Sequence, residues 1–304
     1  MKVLISTSSF CEFSSSPMEL LSKKKWDLIL NPHGRKMKYQ EIIDLAKDVN
    51  YIIAGTETYD KRLLNELTNL KIISRVGVGL DNIDIDFANR KGVLVLNTPL
   101  SPSLAVAEFT ISLMLNSLKK LNESSLDAKR GLWNKKSGFL LSKKTIGIVG
   151  GGNIGKKVIK LMANFKNNFL VFDEYEDKEL KNKKNISYVP LEDVFSKSDV
   201  ISLHLSLSKK TKNLVNKKLL NLMKKDALLV NTSRGEIINE VDLYNFLKKN
   251  KNTQASLDVF KNEPYQGQLL ELPNVFITPH ISAYAKETRV EMEIEAVKNL
   301  IKSI

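Results

Sequence analysis

The chain has 304 residues, 42% hydrophobic and 27% charged, the composition of a soluble globular protein long enough for two domains with separate cores. A single cysteine, Cys11, excludes a disulfide framework and a cysteine-ligated metal centre and fits a reducing compartment, so a cytoplasmic location is expected. The net charge of +13 comes from lysines scattered in short runs such as Lys119-Lys120 and Lys248-Lys249; they read as solvated helix faces rather than a nucleic-acid surface, although such a field concentrates anionic ligands.

The opening Met1–Ser6 is too short an apolar run for a signal peptide and reads as a first strand. No stretch approaches the ~20 apolar residues of a membrane span. Short apolar runs at Val3–Ile5, Leu28–Leu30, Ile52–Ala54, Ile72–Ile73 and Val93–Val95 alternate with helical patterns such as Ile42, Ile43, Leu45 and Ala46, then Leu63, Leu64 and Leu67. This rhythm predicts a parallel sheet with helices on both faces. His33, in Asn31-Pro32-His33-Gly34, reads as a turn residue. A long helix is expected over Leu104–Leu121, opened by Ser101-Pro102-Ser103 with a serine cap and proline in its first turn. It is apolar almost all round, so burial at a domain or subunit interface is expected, with Glu108 a paired structural carboxylate. A second series follows, with strands expected at Thr145–Val149, Phe169–Phe172, Val200–Leu203, Leu228–Asn231, Gln254–Leu257 and Val275–Ile277, and a last helix over Thr288–Ile301. Fold class is therefore α/β, with two doubly wound parallel sheets.

Between the strand Thr145–Val149 and a helical pattern carrying Val158, Leu161 and Met162 lies a G-x-G-x-x-G turn: Gly150, Gly152 and Gly155. The first glycine permits the tight turn, the second lets a pyrophosphate approach the backbone, and the third lets helix pack on strand. The helix N-terminus offers free N–H groups to phosphates. Asp173 ends the next strand 23 positions past Gly150. A carboxylate there accepts the ribose 2′- and 3′-hydroxyls and repels a 2′-phosphate, which favours NAD over NADP; nearby Lys178 and Lys181 pull the other way.

Ligands of doubly wound sheets sit beyond the carboxyl ends of the strands. Those ends carry Asn231-Thr232-Ser233-Arg234-Gly235, then Asp258 to Pro264 with Glu263, then Thr278-Pro279-His280-Ile281-Ser282. Arginine holds a carboxylate by a bidentate pair, histidine exchanges the proton that accompanies hydride transfer, and glutamate orients the histidine and favours its charged form. Arg234, Glu263 and His280 are therefore the catalytic candidates, and His204, at the end of Val200–Leu203, is expected to line the cofactor cleft. The structural alternatives are a strand-closing Asp173, a surface ion pair for Arg234 and a backbone-bonded strand-end His280.

The chain resembles the D-isomer-specific 2-hydroxyacid dehydrogenases, most closely their phosphoglycerate dehydrogenase branch. The resemblance rests on Ser74–Asp84 (SRVGVGLDNID), Asn97-Thr98-Pro99, Ala105–Glu108, the glycine turn, Asn231–Gly235, Leu257–Phe260 with Glu263-Pro264, and Thr278–Ile281, in the family's order. It implies catalysis by Arg234, Glu263 and His280, and a substrate-carboxylate loop at Val76, Gly77, Val78 and Gly79 that acts with Arg234 and His280. It implies cofactor contacts at Val78, Asn153, Ile154, Asp173, Leu205, Ser206, Thr232, Ser233, Asp258 and His280 to Ala283, including Ser282. A Rossmann NAD-binding domain, residues 98–285, is expected to be inserted into a split, flavodoxin-like substrate domain, residues 1–97 plus 286–304, with the active site in the cleft between them. A homodimer joined through the helix at Leu104–Leu121 is implied. The leading substrate pair is 3-phosphoglycerate and 3-phosphohydroxypyruvate, a step of serine biosynthesis, with a phosphate met by some of Arg35, Lys36, Lys38, Lys61, Arg62 and Arg75. Glyoxylate or hydroxypyruvate reduction, or an NAD(H)-sensing binding scaffold, are the alternatives. Ser206 stands where the family often has proline, Ser282 where it often has glycine, and Val78 replaces a frequent threonine. The chain stops at Ile304, so no C-terminal serine-binding regulatory domain is expected.

Overall fold

Five short, branched-aliphatic runs form the first sheet: β1 (Lys2–Ile5), β2 (Asp27–Leu30), β3 (Tyr51–Ala54), β4 (Ile72–Arg75) and β5 (Leu94–Leu96). The coordinates are a computed structural model that describes residues Met1–Ile304. All pairings are parallel, in the order β2-β1-β3-β4-β5. The period-2 alternation of a strand sends Leu4, Ile52, Ala54 and Ile73 to one face, where Ile42, Leu63 and Leu64 of the covering helices meet them. Val3, Ile5, Ile53 and Ile72 point to the other face. There they pack on Met292, Ala296, Val297 and Leu300 of the last helix, Lys286–Lys302. Ser74 Oγ donates to Ala296 O at 2.8 Å. The chain's last element thus completes the core of its first sheet, and residues Met1–Pro102 with Tyr284–Ile304 form one compact unit.

Residues Ser103–Ala283 form the other. Its seven strands are β6 (Thr145–Val149), β7 (Asn168–Phe172), β8 (Ile186–Tyr188), β9 (Val200–Leu203), β10 (Leu228–Asn231), β11 (Gln254–Leu257) and β12 (Val275–Ile277). They pair in parallel throughout, in the order β12-β11-β10-β9-β6-β7-β8. Ile146, Ile148, Val200, Leu228 and Val230 line one face, and Val149, Ile201, Leu203, Leu229 and Leu257 the other. The sequence shows six of these strands and misses β8. At an edge, with only three residues and Ser187 exposed, β8 is too short to display a period.

The long apolar helix also differs from expectation. It runs Ser103–Lys119, breaks at Lys120, whose φ is 53°, and a separate helix Leu121–Lys129 follows. A left-handed residue cannot continue the i→i−4 ladder, and the apolar Leu121 hides the break from a periodicity argument. Ser101 does not cap the helix; its hydroxyl donates to the Glu295 carboxylate. The helix is not buried all round: Val106, Ala107, Thr110, Met114 and Leu118 face inward while Leu104 and Glu108 are exposed. Glu108 has no side-chain partner, so its solvated carboxylate needs none. No helix is long and apolar enough to cross a membrane.

Leu300, fully buried against β1 and its neighbours, tests the attachment of the last helix. Leu300→Ala is expected to lower unfolding free energy by about 2–5 kcal/mol, read as a lower urea midpoint at unchanged slope.

Candidate active site

Two glycines of the turn after β6 stand at approach distances that admit no side chain. Gly150 has φ 103°, and a Cβ there would lie 2.6 Å from His204 O. A Cβ at Gly155 would lie 2.2 Å from Gly150 O, so the first turn of the helix Asn153–Leu161 presses directly on the loop. Gly152 differs: a Cβ there meets nothing within 4 Å. It is the N-cap of that helix, and the open space lies beside the unsatisfied N–H groups of its first turn, where Asn153 and Ile154 stand. Asp173, after β7, accepts Gly151 N–H at 2.6 Å on Oδ2 and Tyr175 N–H at 3.0 Å on Oδ1. Each oxygen keeps a lone pair for a further donor. Glu174, Glu176 and Asp177 follow, paired with Lys210, Lys181 and Lys156 respectively. The open cradle and the remaining acceptor capacity of Asp173 fit a dinucleotide with free ribose hydroxyls.

β6 and β9 are neighbours at the point where the order of the second sheet reverses. His204, just past β9, donates its N–H to Val149 O at 2.7 Å, and its Nε2 lies 2.9 Å from Ser202 Oγ. Its Nδ1 is buried without a partner, and burial pushes its pKa down to about 3. Leu205 and Ser206 follow, with Ser206 O accepting from Thr211 Oγ1 at 2.7 Å.

β10, β11 and β12 place the other candidates on the same carboxyl edge. After β10, Asn231 Oδ1 accepts Ser233 N–H at 3.0 Å and Ser233 Oγ–H at 2.7 Å, and Asn231 Nδ2 donates to Arg234 O at 2.9 Å. Thr232 Oγ1 bonds Thr110 Oγ1 at 3.0 Å, so the Thr232 and Ser233 hydroxyls are committed internally. Arg234 Nη1 donates to Ser233 O at 2.7 Å. After β11, the fully buried Asp258 accepts Thr278 Oγ1–H at 2.6 Å and Ile281 N–H at 2.9 Å on Oδ1, and Ser282 N–H at 2.9 Å on Oδ2. These donors flank His280, whose φ is 56°. A left-handed non-glycine residue costs on the order of 1–3 kcal/mol and persists only where its surroundings over-determine it; the Asp258 bonds do so here. Ser282 N–H and both Asp258 oxygens are thereby engaged within the protein.

Glu263 Oε1 accepts Phe260 N–H at 3.0 Å, and His280 Nδ1 lies 2.8 Å from Glu263 Oε2. Burial pushes the Glu263 carboxyl up, but the His280 hydrogen bond, the Phe260 N–H and the nearby charges of His280 and Arg234 outweigh it and hold the pKa below the ordinary value. An ionised carboxylate only accepts, so Nδ1 carries the proton and a neutral His280 presents Nε2 as a base.

In the first unit, the loop after β4 departs from expectation. Val76 N–H donates to Ala54 O at 2.8 Å and Gly77 N–H to Thr98 Oγ1 at 2.7 Å, so neither is available to a ligand. Val78 and Gly79 make no such bond; Val78 O accepts Asn97 Nδ2 at 2.6 Å. His33 lies in a turn, as its neighbours predict, with its N–H on Asn31 Oδ1 at 2.9 Å. Sequence reasoning missed the buried carboxylate of Glu57 after β3. Its signal is its place three residues past the end of β3, on the carboxyl edge of the first sheet.

A family model described as "D-isomer specific 2-hydroxyacid dehydrogenase, NAD binding domain" matches residues 111–282. The chain is 36% identical over 255 residues to a D-3-phosphoglycerate dehydrogenase of Methanocaldococcus jannaschii, covering 82% of this chain and 49% of that protein. It is 34% identical over 296 residues to a hydroxypyruvate reductase of Thermotoga maritima, covering 93% of this chain and 96% of that protein. The chain thus spans about half the length of the phosphoglycerate dehydrogenases it matches and nearly all of that reductase. It is similar to the crystal structure of a D-lactate dehydrogenase from Aquifex aeolicus complexed with NAD and lactic acid, with TM-score 0.85 and 28% identity over 99% of this chain and 94% of that one. Matched by the family model over more than half its length, the chain belongs to the D-isomer-specific 2-hydroxyacid dehydrogenases, a family of NAD-dependent oxidoreductases.

Proposed function

We propose that this protein interconverts a D-2-hydroxy acid and its 2-oxo acid. The observation that carries the reading is the 2.8 Å contact between His280 Nδ1 and Glu263 Oε2, on the same sheet edge as the open glycine turn. Bound NAD would supply the hydride acceptor, and NADH the donor in reverse. Gly150, Gly152, Asn153, Ile154 and Gly155 would hold the pyrophosphate and Asp173 the ribose. His204 to Ser206, Thr232, Ser233, Asp258, Ser282 and Ala283 complete the wall of the cofactor site. In oxidation, neutral His280 takes the hydroxyl proton on Nε2; in reduction, the imidazolium returns it. Ionised Glu263 stabilises that imidazolium and fixes the ring. Arg234 anchors the substrate carboxylate and polarises the adjacent carbonyl. The first unit serves as the substrate domain, with Val78 and Gly79 N–H groups as its anion donors.

Two substrate readings have support. The relatives named D-3-phosphoglycerate dehydrogenase support 3-phosphoglycerate and 3-phosphohydroxypyruvate. The match to nearly the whole of a hydroxypyruvate reductase, and to relatives named glyoxylate reductase, supports an unphosphorylated acid. A homodimer is the proposed assembly. Leu121, Leu126, Leu132, Phe139 and Leu140 are exposed, and Trp133 is 84% exposed, an apolar surface that a second copy would cover.

With NADH and a panel of 2-oxo acids, the purified protein is expected to oxidise NADH; bound NADH with no turnover on any of them defeats the enzymatic reading. His280→Ala should lower kcat about 10²–10⁴-fold while NADH still binds, as followed by nicotinamide fluorescence. Burial keeps folded His204 neutral to about pH 3, whereas its ordinary value is 6.5, so the unfolded chain binds the extra proton below that. The stability that His204 contributes is full above about 6.5 and is lost as pH falls toward 3; urea titrations should show a steeper acid decline for the wild type than for His204→Asn. Light scattering should report a dimer, and Trp133→Ser should shift it toward monomer.

A further inference from the structure

The order of the first sheet reverses between β1 and β3, the place where a doubly wound sheet opens its ligand crevice. Ser6 follows β1, and Gly55 to Glu57 follow β3. Glu57 is only 1% exposed. Its Oε2 accepts Ser6 Oγ–H at 2.9 Å and Gly55 N–H at 3.0 Å. Tyr59 OH lies 2.9 Å from Ser6 Oγ, and with the Ser6 proton committed to the carboxylate, Tyr59 is the donor. Burial, and then the charge of Glu57, push the Tyr59 hydroxyl above its ordinary pKa, so it stays protonated. Asn82 Nδ2 donates to Glu57 O, closing the loop. At a crevice where a bound anion would take a backbone N–H and a hydroxyl, the chain's own carboxylate has taken both.

Several of the cations the sequence offers to a phosphate have partners elsewhere, and Arg75, which ends β4 in register with Ala54, is also engaged. Arg35, after β2, is held by both oxygens of Glu41 at 2.7 and 2.9 Å. Lys61 and Arg62, at the N-terminal end of the helix that follows β3, lie over the Phe87 and Tyr39 rings, at 5.7 and 5.3 Å. A phosphate dianion brought to the β1/β3 crevice would meet a buried negative charge where local dielectric screening is weak.

We propose that Glu57 is a specificity-determining residue that closes the first sheet's crevice to a phosphorylated substrate tail and selects short, unphosphorylated 2-oxo acids such as hydroxypyruvate and glyoxylate. The inference rests on the dehydrogenase reading above and decides between its two substrate classes. It assigns Glu57 no part in hydride or proton transfer; its effect is carried by charge and by occupation of the donors.

The test is steady-state reduction by NADH of hydroxypyruvate, glyoxylate and 3-phosphohydroxypyruvate. Wild type should show kcat/KM at least tenfold higher for hydroxypyruvate than for its phosphorylated form. Glu57→Gln removes the charge but keeps an acceptor for Ser6 and Gly55, and should shrink that ratio at least tenfold, chiefly through KM for the phosphorylated substrate. A merely structural role would change both substrates alike and leave the ratio in place, which overturns the proposal. Should the variant fail to fold, inhibition of the wild type decides: D-glycerate is expected to inhibit at lower concentration than 3-phospho-D-glycerate, and the reverse order overturns the proposal. Preference of the wild type for 3-phosphohydroxypyruvate also overturns it while leaving the dehydrogenase reading intact. Failure to reduce any 2-oxo acid removes that reading, and the proposal with it.

Discussion

Every strand pair in both sheets is parallel, and the placement of the candidate site residues follows from that constraint. Parallel neighbours must be joined by a crossover, so each strand delivers its final residues to one edge while its helix returns along a face. Gly150, Asp173, His204, Arg234, Asp258 and His280 are distant in sequence, yet all stand just past the carboxyl ends of strands in one sheet. The aliphatic strands need burial on both faces, and the two apolar clusters flanking each sheet supply it. The sheet is therefore both the core and the jig that aligns the site.

Alignment at the edge is then refined by a few buried polar groups. Asp258 ties the loop after β11 to the loop after β12 through Thr278, Ile281 and Ser282, and so holds His280 in a conformation it would not choose alone. Glu263 in turn contacts the His280 ring at Nδ1. A buried carboxylate without donors would be costly, so the three donors that satisfy Asp258 also make its position obligatory. Glu57 shows the same economy in the first sheet, where Ser6 and Gly55 satisfy it. The two carboxylates differ in consequence: Asp258 orients a neighbouring side chain, whereas Glu57 sets the sign of the charge at a crevice.

Much of this was legible in the sequence because it is local. Strand and helix periods repeat over a few residues, and the glycine turn is a fixed spacing between a strand and a helix. Gly150 and Gly155 are required by contacts that the pattern encodes directly. Where local signals were weak the reading failed for physical reasons. β8 is too short and too exposed to show a period. Lys120 takes a left-handed conformation that a lysine does not announce, and Leu121 carries the apolar pattern across the break. The N–H groups of Val76 and Gly77 were assigned to a ligand, yet Ala54 O and Thr98 Oγ1, both distant in sequence, had already taken them.

By itself, then, the sequence determined the alternation of elements, the dinucleotide turn with its acidic partner, and the residue types delivered to each strand end, because each depends on neighbours within a turn or a strand. Tertiary structure alone decided which strands lie side by side, that the last helix covers the first sheet, and that Asp258 is spent on positioning His280. It also decided that Glu57, 51 residues from Ser6, buries its charge against that hydroxyl. Those outcomes depend on hydrogen bonds and packing between segments far apart in the chain, whose distances no local pattern records.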